Sequence, residues 1–263
     1  MTGPAHAPYD TLKPIADGIW IIDGAPVRSN WLMRGTRATV VKLHDGSLWV
    51  YAPTTLTTNL QAELDALGPV KHLIVPNTKY LTVLPVWQAT YMDAIVYGAP
   101  GVPELAEGRA ERVRVDCELD IDQAEAEWDG QLGQMLVRGS WRHREMVFFH
   151  HDSATLILAD LIQAHDTNAM PAWMRPIVWL AGTEHTDGKM PYLMARGFNR
   201  EALEESVEKL IAFAPERVIL SQGHWYQSNG TAELQRAFRR LVGSQQWLRA
   251  LTTMERMRNH KSK

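Results

Sequence analysis

The sequence predicts a layered α/β protein with mixed β-sheets, and three observations lead to this fold class. Short runs of β-branched and aromatic residues alternate with helical segments through the first half of the chain. Four closely spaced runs of strand character follow in the middle. One further strand lies between two amphipathic segments near the end. Strand–helix alternation favours parallel pairing and a meander favours antiparallel pairing, so both types are expected within the sheets.

The first half opens with three strands and continues as strand–helix pairs. We predict strands over residues 18–23, 38–43 and 47–52, with His44-Asp45-Gly46 as the hairpin turn between the last two. Asp-Gly favours such a turn because it tolerates the positive φ that the turn requires. A helix over 55–68 ends at a glycine, a common residue just after a helix. The elements that follow are a buried strand over 72–76, a helix over 83–91, a strand over 94–97 and a helix over Val102–Glu107.

The second half is predicted to hold the meander and the last strand–helix units. The four strands of the meander are expected over 124–128, 132–138, 145–150 and 155–161. A strand over 217–221 lies between helices predicted over 200–214 and 231–257, and residues 258–263 form a basic C-terminal tail. At 263 residues, with no internal repeat, the chain is expected to form a single domain over 1–263.

Composition and charge narrow the classes of function. A net charge of −3 gives no reason to expect nucleic acid or an anionic membrane as a partner. No stretch approaches the roughly 18 consecutive apolar residues of a membrane-spanning helix, and the first ten residues do not resemble a signal peptide. The single cysteine, Cys117, suits a reducing compartment, so we expect a cytoplasmic location. Asp116 and Glu118 flank Cys117 and are expected to raise the pKa of its thiol, which argues against a catalytic thiolate.

Residues 163–197 fit no regular element and are rich in large apolar side chains. One interpretation is a lid inserted over a binding site, and the other is a helical hairpin packed on the core. A lid would place Trp173 and Trp179 against a small-molecule ligand. The same two tryptophans could instead form the contact of a homodimer, because large apolar side chains need a surface to cover them.

Five sequence motifs between Ile15 and about Leu241 resemble an uncharacterised family, a domain of unknown function, within the metallo-β-lactamase superfamily. They are GIWIIDGAP, TVVKLHDGSLWVYAPT, HLIVPN, MVFFHHDSATLILADL and VILSQGHWYQ. The resemblance implies a four-layer αββα sandwich, in which two mixed β-sheets pack face to face with helices outside. Active members of the superfamily hold one or two metal ions at the edge of the sheets.

The resemblance also implies that most of the metal ligands are missing. The motif His-x-His-x-Asp-His should follow the strand at 72–76, yet the sequence there is Asn77-Thr78-Lys79-Tyr80 and contains no histidine. The next histidine after His72 is His143. The Gly-His-Thr turn of the superfamily maps onto Gly139-Ser140-Trp141, which also lacks the imidazole. A lysine beside a ligand position adds positive charge where a dication would bind, so no metal cofactor is expected.

Two positions of the superfamily's site survive, and we take both as candidate catalytic residues. Asp160 matches the bridging aspartate and His224 matches the late histidine. Each also has a structural interpretation, since an aspartate at a strand end often caps the next loop and a loop histidine often binds the backbone. If the chain does bind zinc or another divalent metal, Asp160, His165, His185 and His224 form a chemically reasonable ligand set.

Three further residues are candidates for substrate binding. Asn77, Lys79 and Tyr80 follow the strand at 72–76, where Lys79 could anchor an anion and Tyr80 could act as a general acid. The alternative is a helix-entry loop with a solvated lysine. His150 and His151 are adjacent, so in a strand they face opposite sides and cannot both serve one small site.

Two functions from different classes therefore remain open. In the first, a protein with a degraded metal site binds a small molecule or a partner and has no zinc hydrolase activity. In the second, the chain is a divergent hydrolase of esters, lactones or related small molecules that uses a non-standard site around Asp160 and His224. The residues alone do not decide whether the chain is an enzyme.

Overall fold

The computed structural model places two mixed β-sheets face to face with helices on their outer sides. It describes residues 7–29, 32–108, 113–140, 143–163, 188–190, 192–221, 223–239 and 241. None of the helices in this part of the chain is long and apolar enough to cross a membrane. The arrangement is the four-layer αββα sandwich expected from the sequence.

The larger sheet contains strands β1 to β7 in spatial order. Pairing is antiparallel from β1 to β4 and parallel from β4 to β7, so the sheet is mixed. The strands are Leu12–Ala16 (β1), Ile19–Ser29 (β2), Leu32–Lys42 (β3), Leu48–Tyr51 (β4), Val70–Val75 (β5), Ile95–Gly98 (β6) and Cys117–Glu118 (β7).

The smaller sheet contains four strands in the order β11-β10-β9-β8. They are Leu132–Leu136 (β8), Met146–His150 (β9), Thr155–Leu158 (β10) and Arg217–Leu220 (β11). β10 pairs antiparallel with β9 and parallel with β11, so this sheet is mixed as well. The parallel pair brings the carboxyl ends of β10 and β11 to the same edge of the sandwich.

Six α-helices and one 3-10 helix lie outside the sheets in the described residues. The α-helices are Thr58–Leu67 (α1), Leu84–Thr90 (α2), Val102–Glu107 (α3), Tyr192–Ala195 (α4), Arg200–Ala212 (α5) and Gly230–Ala237 (α6). The 3-10 helix Thr78–Thr82 lies between β5 and α2. It begins after Asn77, whose side chain accepts the N–H of Lys79, so the first turn after β5 is held by a local hydrogen bond.

The core has two parts because the smaller sheet is buried on both faces. Alternate residues of β9 show this directly: Met146 and Phe148 pack toward the larger sheet, whereas Val147 and Phe149 pack toward α5 and α6. Between the sheets, the ring of Phe148 lies 4.8 Å from that of Trp49 in an edge-to-face arrangement. A continuous apolar run, in which successive side chains face opposite sides, is typical of a strand covered on both sides.

Several predicted elements need correction or extension. The prediction of a strand over 124–128 is wrong, because the chain forms a turn there, from which Trp128 enters the core. The edge strands β1 and β7 were not predicted, and β2 extends beyond the predicted 18–23 to Ser29. The last helix begins at Gly230, and its predicted continuation over 242–257 lies outside the described residues. The same is true of the tail at 258–263 and of residues 164–187 in the predicted lid.

Candidate functional site

The candidate site lies at the edge of the sandwich where β5, β10 and β11 end. Leu158 of β10 pairs with Leu220 of β11, so the residues just beyond these two strands are neighbours. Asp160 follows β10 and His224 follows β11, and both are buried. The chain after β11 turns back on itself, since Tyr226 pairs antiparallel with Val218. His224 therefore lies in the loop of this hairpin, at the same edge as Asp160.

An ion pair joins the end of β5 to the end of β10. The Nζ atom of Lys79 lies 2.6 Å from Oδ2 of Asp160, and Nδ2 of Asn77 donates to the same oxygen at 3.2 Å. The carboxylate is almost covered, with 11% of its side chain exposed, whereas the lysine side chain is 59% exposed. The structure thus brings together two predicted substrate-binding residues and one predicted catalytic residue. It does not test the roles predicted for them.

Glu145 lies directly behind Asp160 and was not singled out from the sequence. Its two carboxyl oxygens accept the backbone N–H groups of Ala159 at 2.7 Å and Asp160 at 2.9 Å, and the N–H of Leu161 as well. Burial, and secondarily the charge of Asp160, raises the pKa of Glu145 to about 8, although the three N–H groups act in the opposite direction. Glu145 therefore holds the loop after β10 in place, which is the capping role that the sequence analysis assigned to Asp160 in its structural interpretation.

Two tyrosines connect the sheets beside this pair. The hydroxyl of Tyr51 donates to the carbonyl of Met146 at 2.9 Å. The hydroxyl of Tyr80 hydrogen-bonds to Ser221, which in turn donates to the carbonyl of Ala159 at 2.7 Å. Burial is the main cause that raises the pKa of both tyrosines, and nearby carboxylates add to it. Tyr80 is therefore engaged in a hydrogen-bonded chain that supports the loop after β10.

A buried arginine holds the end of β11. Arg37 Nη1 donates to the carbonyl of Leu220 at 2.7 Å, and its Nε donates to Asp23 Oδ1 at 2.8 Å. Burial lowers the pKa of Arg37, and the carboxylate of Asp23 opposes that shift. Lys13 also pairs with Asp23 at 2.9 Å. The carbonyl just before the His224 hairpin thus has a charged donor that reaches it from the other sheet.

The remaining candidates lie elsewhere or outside the described residues. His150 faces the interior near Gly18 and pairs with Ser153 at 2.7 Å, in the turn at the other end of β10 from Asp160. His151 packs against Phe149 on the opposite face, as alternation in a strand predicts. Four candidates lie outside the described part of the chain, namely His165, Trp173, Trp179 and His185.

Cys117 is exposed on the edge strand β7, and the pKa of its thiol is raised, as expected from the sequence. Partial burial raises the pKa of the thiol, and the charges of Asp116, Glu125 and Glu127 add to this effect. Glu118 was expected to contribute, but its carboxylate accepts the N–H of Gly101 at 2.9 Å instead.

The described residues at this edge differ from the metal centre that the family resemblance implies. An ammonium nitrogen contacts the aspartate that would have to bind the ion, and no histidine follows β5 before His143. Within the residues that the structure describes, no three histidine, cysteine, aspartate or glutamate side chains are arranged to hold a metal ion. Zinc sites need several convergent imidazole, thiolate or carboxylate donors, and two of the candidate ligands, His165 and His185, lie outside the described residues.

Comparison with solved structures shows which fold this is. The chain superimposes on DIM-1 metallo-β-lactamase with a TM-score of 0.61 at 13% identity, covering 86% of this chain and 93% of that one. The metallo-β-lactamase from Pontibacter korlensis gives 0.55 at 14% identity, with coverages of 85% and 98%. FIM-1 from Pseudomonas aeruginosa, in its mono-zinc form, gives 0.58 at 13% identity, with coverages of 88% and 96%. Identities this low establish the fold alone, which is the metallo-β-lactamase fold.

Comparison of the sequence identifies the family. No curated protein matches the chain. A family model described as a domain of unknown function, DUF4336, matches residues 17–178, which is more than half of the chain. The chain therefore belongs to the DUF4336 family and has the metallo-β-lactamase fold.

Proposed function

We propose that this chain is a metal-independent protein of the metallo-β-lactamase fold that binds a small anionic molecule at the edge formed by Lys79, Asn77 and Asp160. The observation that carries the proposal is the 2.6 Å contact between Lys79 Nζ and Asp160 Oδ2. In this arrangement the bridging-aspartate position is neutralised by a side chain of the protein itself. Zinc hydrolase activity is not part of the proposal.

Electrostatics supports the metal-independent part. A dication held about 4 Å from an ammonium group is repelled by about 8 kcal/mol at an effective dielectric constant of about 20. Metal binding at Asp160 would therefore require Lys79 to leave, and Asn77 and Lys79 together already satisfy the oxygen that the metal needs. Neither residue type is a usual zinc ligand.

The exposure of Lys79 supports the choice of an anionic ligand. An ammonium group has three N–H donors, and one of them is sufficient for Asp160. More than half of the lysine side chain is exposed, so we expect its remaining donors to be accessible to a ligand. A carboxylate or phosphate oxygen is a suitable acceptor for them. The apolar part of the ligand is predicted to contact Trp173 and Trp179, which lie outside the described residues.

Metal content tests the first half of the proposal. We expect the purified chain to contain much less than one equivalent of zinc, iron or manganese, and its Tm to be unchanged by EDTA. One equivalent of metal that is lost together with thermal stability on chelation would contradict the proposal.

Thermal shift with a matched pair of compounds tests the second half. Benzoate and benzamide have nearly the same shape, and only benzoate is charged. We expect benzoate and larger aromatic carboxylates to raise the Tm of the wild type, with benzamide inactive, and Lys79→Ala to abolish the effect. Lys71→Ala is the control, because Lys71 forms a more exposed ion pair with Asp45 at 3.4 Å. Equal responses of both variants would refute an anion site at Lys79.

The divergent hydrolase is the second candidate, and one observation favours it. Asp160 and His224 both reach this edge and are both buried, although they are far apart in the sequence. A carboxylate and an imidazole at one edge are a common pair for acid–base chemistry. Turnover of p-nitrophenyl esters or a γ-lactone that Asp160→Asn and His224→Ala each abolish would favour the hydrolase over the binding protein.

A further inference from the structure

Several polar contacts join the two sheets at the carboxyl edge, and together they form what we call the polar seam. Its donors come from β3, β4 and the segment after β5, and its acceptors come from β9, β10, β11 and the residues that follow them. The contacts are Arg37 to the Leu220 carbonyl, Tyr51 to the Met146 carbonyl, Tyr80 to Ser221, and Asn77 and Lys79 to Asp160. The seam therefore joins the sheets at the edge where the superfamily's metal centre would lie.

The pair of Lys79 and Asp160 differs from the other contacts of the seam because both partners carry full charges. Asp160 is nearly covered, and the buried carboxyl of Glu145 lies behind it. A carboxylate in such a place is costly to bury unless a cation compensates it. Lys79 supplies that cation from the larger sheet, across 81 residues of sequence.

We propose that Lys79 is a built-in cation that takes over the structural part of a metal ion: its ammonium group neutralises Asp160 and so holds the two sheets together at this edge. The inference rests on the metal independence proposed above, and we call the ion pair of Lys79 and Asp160 the clamp. It implies that the position next to Asp160 accepts a cation of the right shape. Because more than half of the Lys79 side chain is exposed, we expect such a cation to enter from solvent when the lysine is removed.

Chemical rescue tests this inference on the full chain. Lys79→Ala removes the ammonium together with its methylene stem, and ethylammonium chloride supplies a primary ammonium on a short alkyl group. We expect Lys79→Ala to have a lower Tm than the wild type. Ethylammonium at a concentration near its dissociation constant is expected to raise the Tm of this variant by on the order of 1 °C. Tetramethylammonium chloride at equal ionic strength carries the same charge without N–H donors and is expected to have no such effect.

Two control variants make the rescue specific. Lys71→Ala removes an ammonium from the exposed pair with Asp45, where both side chains are 53% exposed, and is expected to show no rescue. In Lys79→Ala/Asp160→Asn the carboxylate that should receive the cation is neutral, so rescue is expected to disappear. Ethylammonium that stabilises all variants equally, or none of them, would overturn the clamp.

A thermodynamic cycle provides a measurement that does not depend on rescue. If the clamp exists, Lys79→Ala and Asp160→Asn lower the Tm by similar amounts, and the double variant is no less stable than either single variant. Additive losses of Tm would show that the two side chains act independently. This result would overturn the inference whatever the effect of ethylammonium. Metal content of the wild type is measured separately, so failure of the clamp and failure of the proposed function give different results.

Discussion

Replacing Glu145 by glutamine is expected to remove the loss of stability that this residue causes as the pH rises from 4.5 to about 8. Glu145 is fully buried, and its carboxyl group binds the backbone of the loop after β10 through three N–H groups. The fold raises its pKa from the ordinary value of 4.5 to about 8. Between these two values the folded chain holds a proton on Glu145 that the unfolded chain has already released.

The sign of the effect follows from proton linkage. A pKa raised by folding contributes stability that is fully present below pH 4.5 and is lost as the pH rises through about 8. Inside this window a difference of one bound proton changes the free energy of unfolding by about 1.4 kcal/mol per pH unit. Glutamine has no such proton to release, so its contribution is independent of pH. Its single carbonyl oxygen cannot replace two carboxyl oxygens, and one unsatisfied N–H costs about 1–3 kcal/mol.

Urea denaturation at pH 5, 6, 7 and 8 measures both effects. We expect Glu145→Gln to be less stable than the wild type at pH 5 and more stable than it by pH 8, because only the wild type loses the stability that the raised pKa of Glu145 contributes. Glu107→Gln on the exposed end of α3 is the control and should follow the wild type at every pH. A stability difference between wild type and Glu145→Gln that stays constant from pH 5 to pH 8 would refute the argument.

Three further predictions concern other parts of the molecule. Arg37→Met is expected to lower the free energy of unfolding in urea by about 3–5 kcal/mol, because it leaves the buried carboxylate of Asp23 without its main partner. Burial lowers the pKa of His72, so this residue contributes stability above the unfolded pKa of 6.5, and this contribution is lost as the pH falls below that value. In His72→Gln the free energy of unfolding should therefore fall less steeply on the acid side. Trp173→Ala and Trp179→Ala are each expected to weaken a dimer in light scattering if these side chains form a subunit contact, or to weaken ligand binding if they form a lid.

Exposed residues provide the controls for the first two of these predictions. Arg138→Met breaks an exposed pair with Asp122 and should cost no more than about 1 kcal/mol. His44→Gln alters an exposed histidine and should leave the acid limb unchanged. Equal losses for the buried and exposed arginines, or an acid limb that His72→Gln leaves intact, would contradict the respective prediction. For the tryptophans, a monomer whose ligand affinity neither substitution changes would contradict both interpretations.

The sequence by itself determined most of the strands, the hairpin at His44-Asp45-Gly46 and the family resemblance that led to the four-layer fold. These features are encoded locally, since β-branched runs, Asp-Gly turns and helical spacing depend on neighbouring residues. The absence of histidines between His72 and His143 is also visible from the sequence, and the expectation that no metal binds after β5 stays a prediction. Local pattern misled at 124–128, where alternation of small and acidic residues resembled a strand, although the chain there makes a turn so that Trp128 can fill the core.

The tertiary structure alone decided the organisation of the candidate site. Lys79 and Asp160 are separated by 81 residues, and their contact depends on two sheets packing so that the ends of β5 and β10 meet. Glu145 carried no signal in the sequence, because a single glutamate before an apolar strand is ordinarily solvated, and only the packing around β10 buries it. Side chains that meet across a sheet interface are placed by strand register and layer packing, and neither can be obtained from local periodicity.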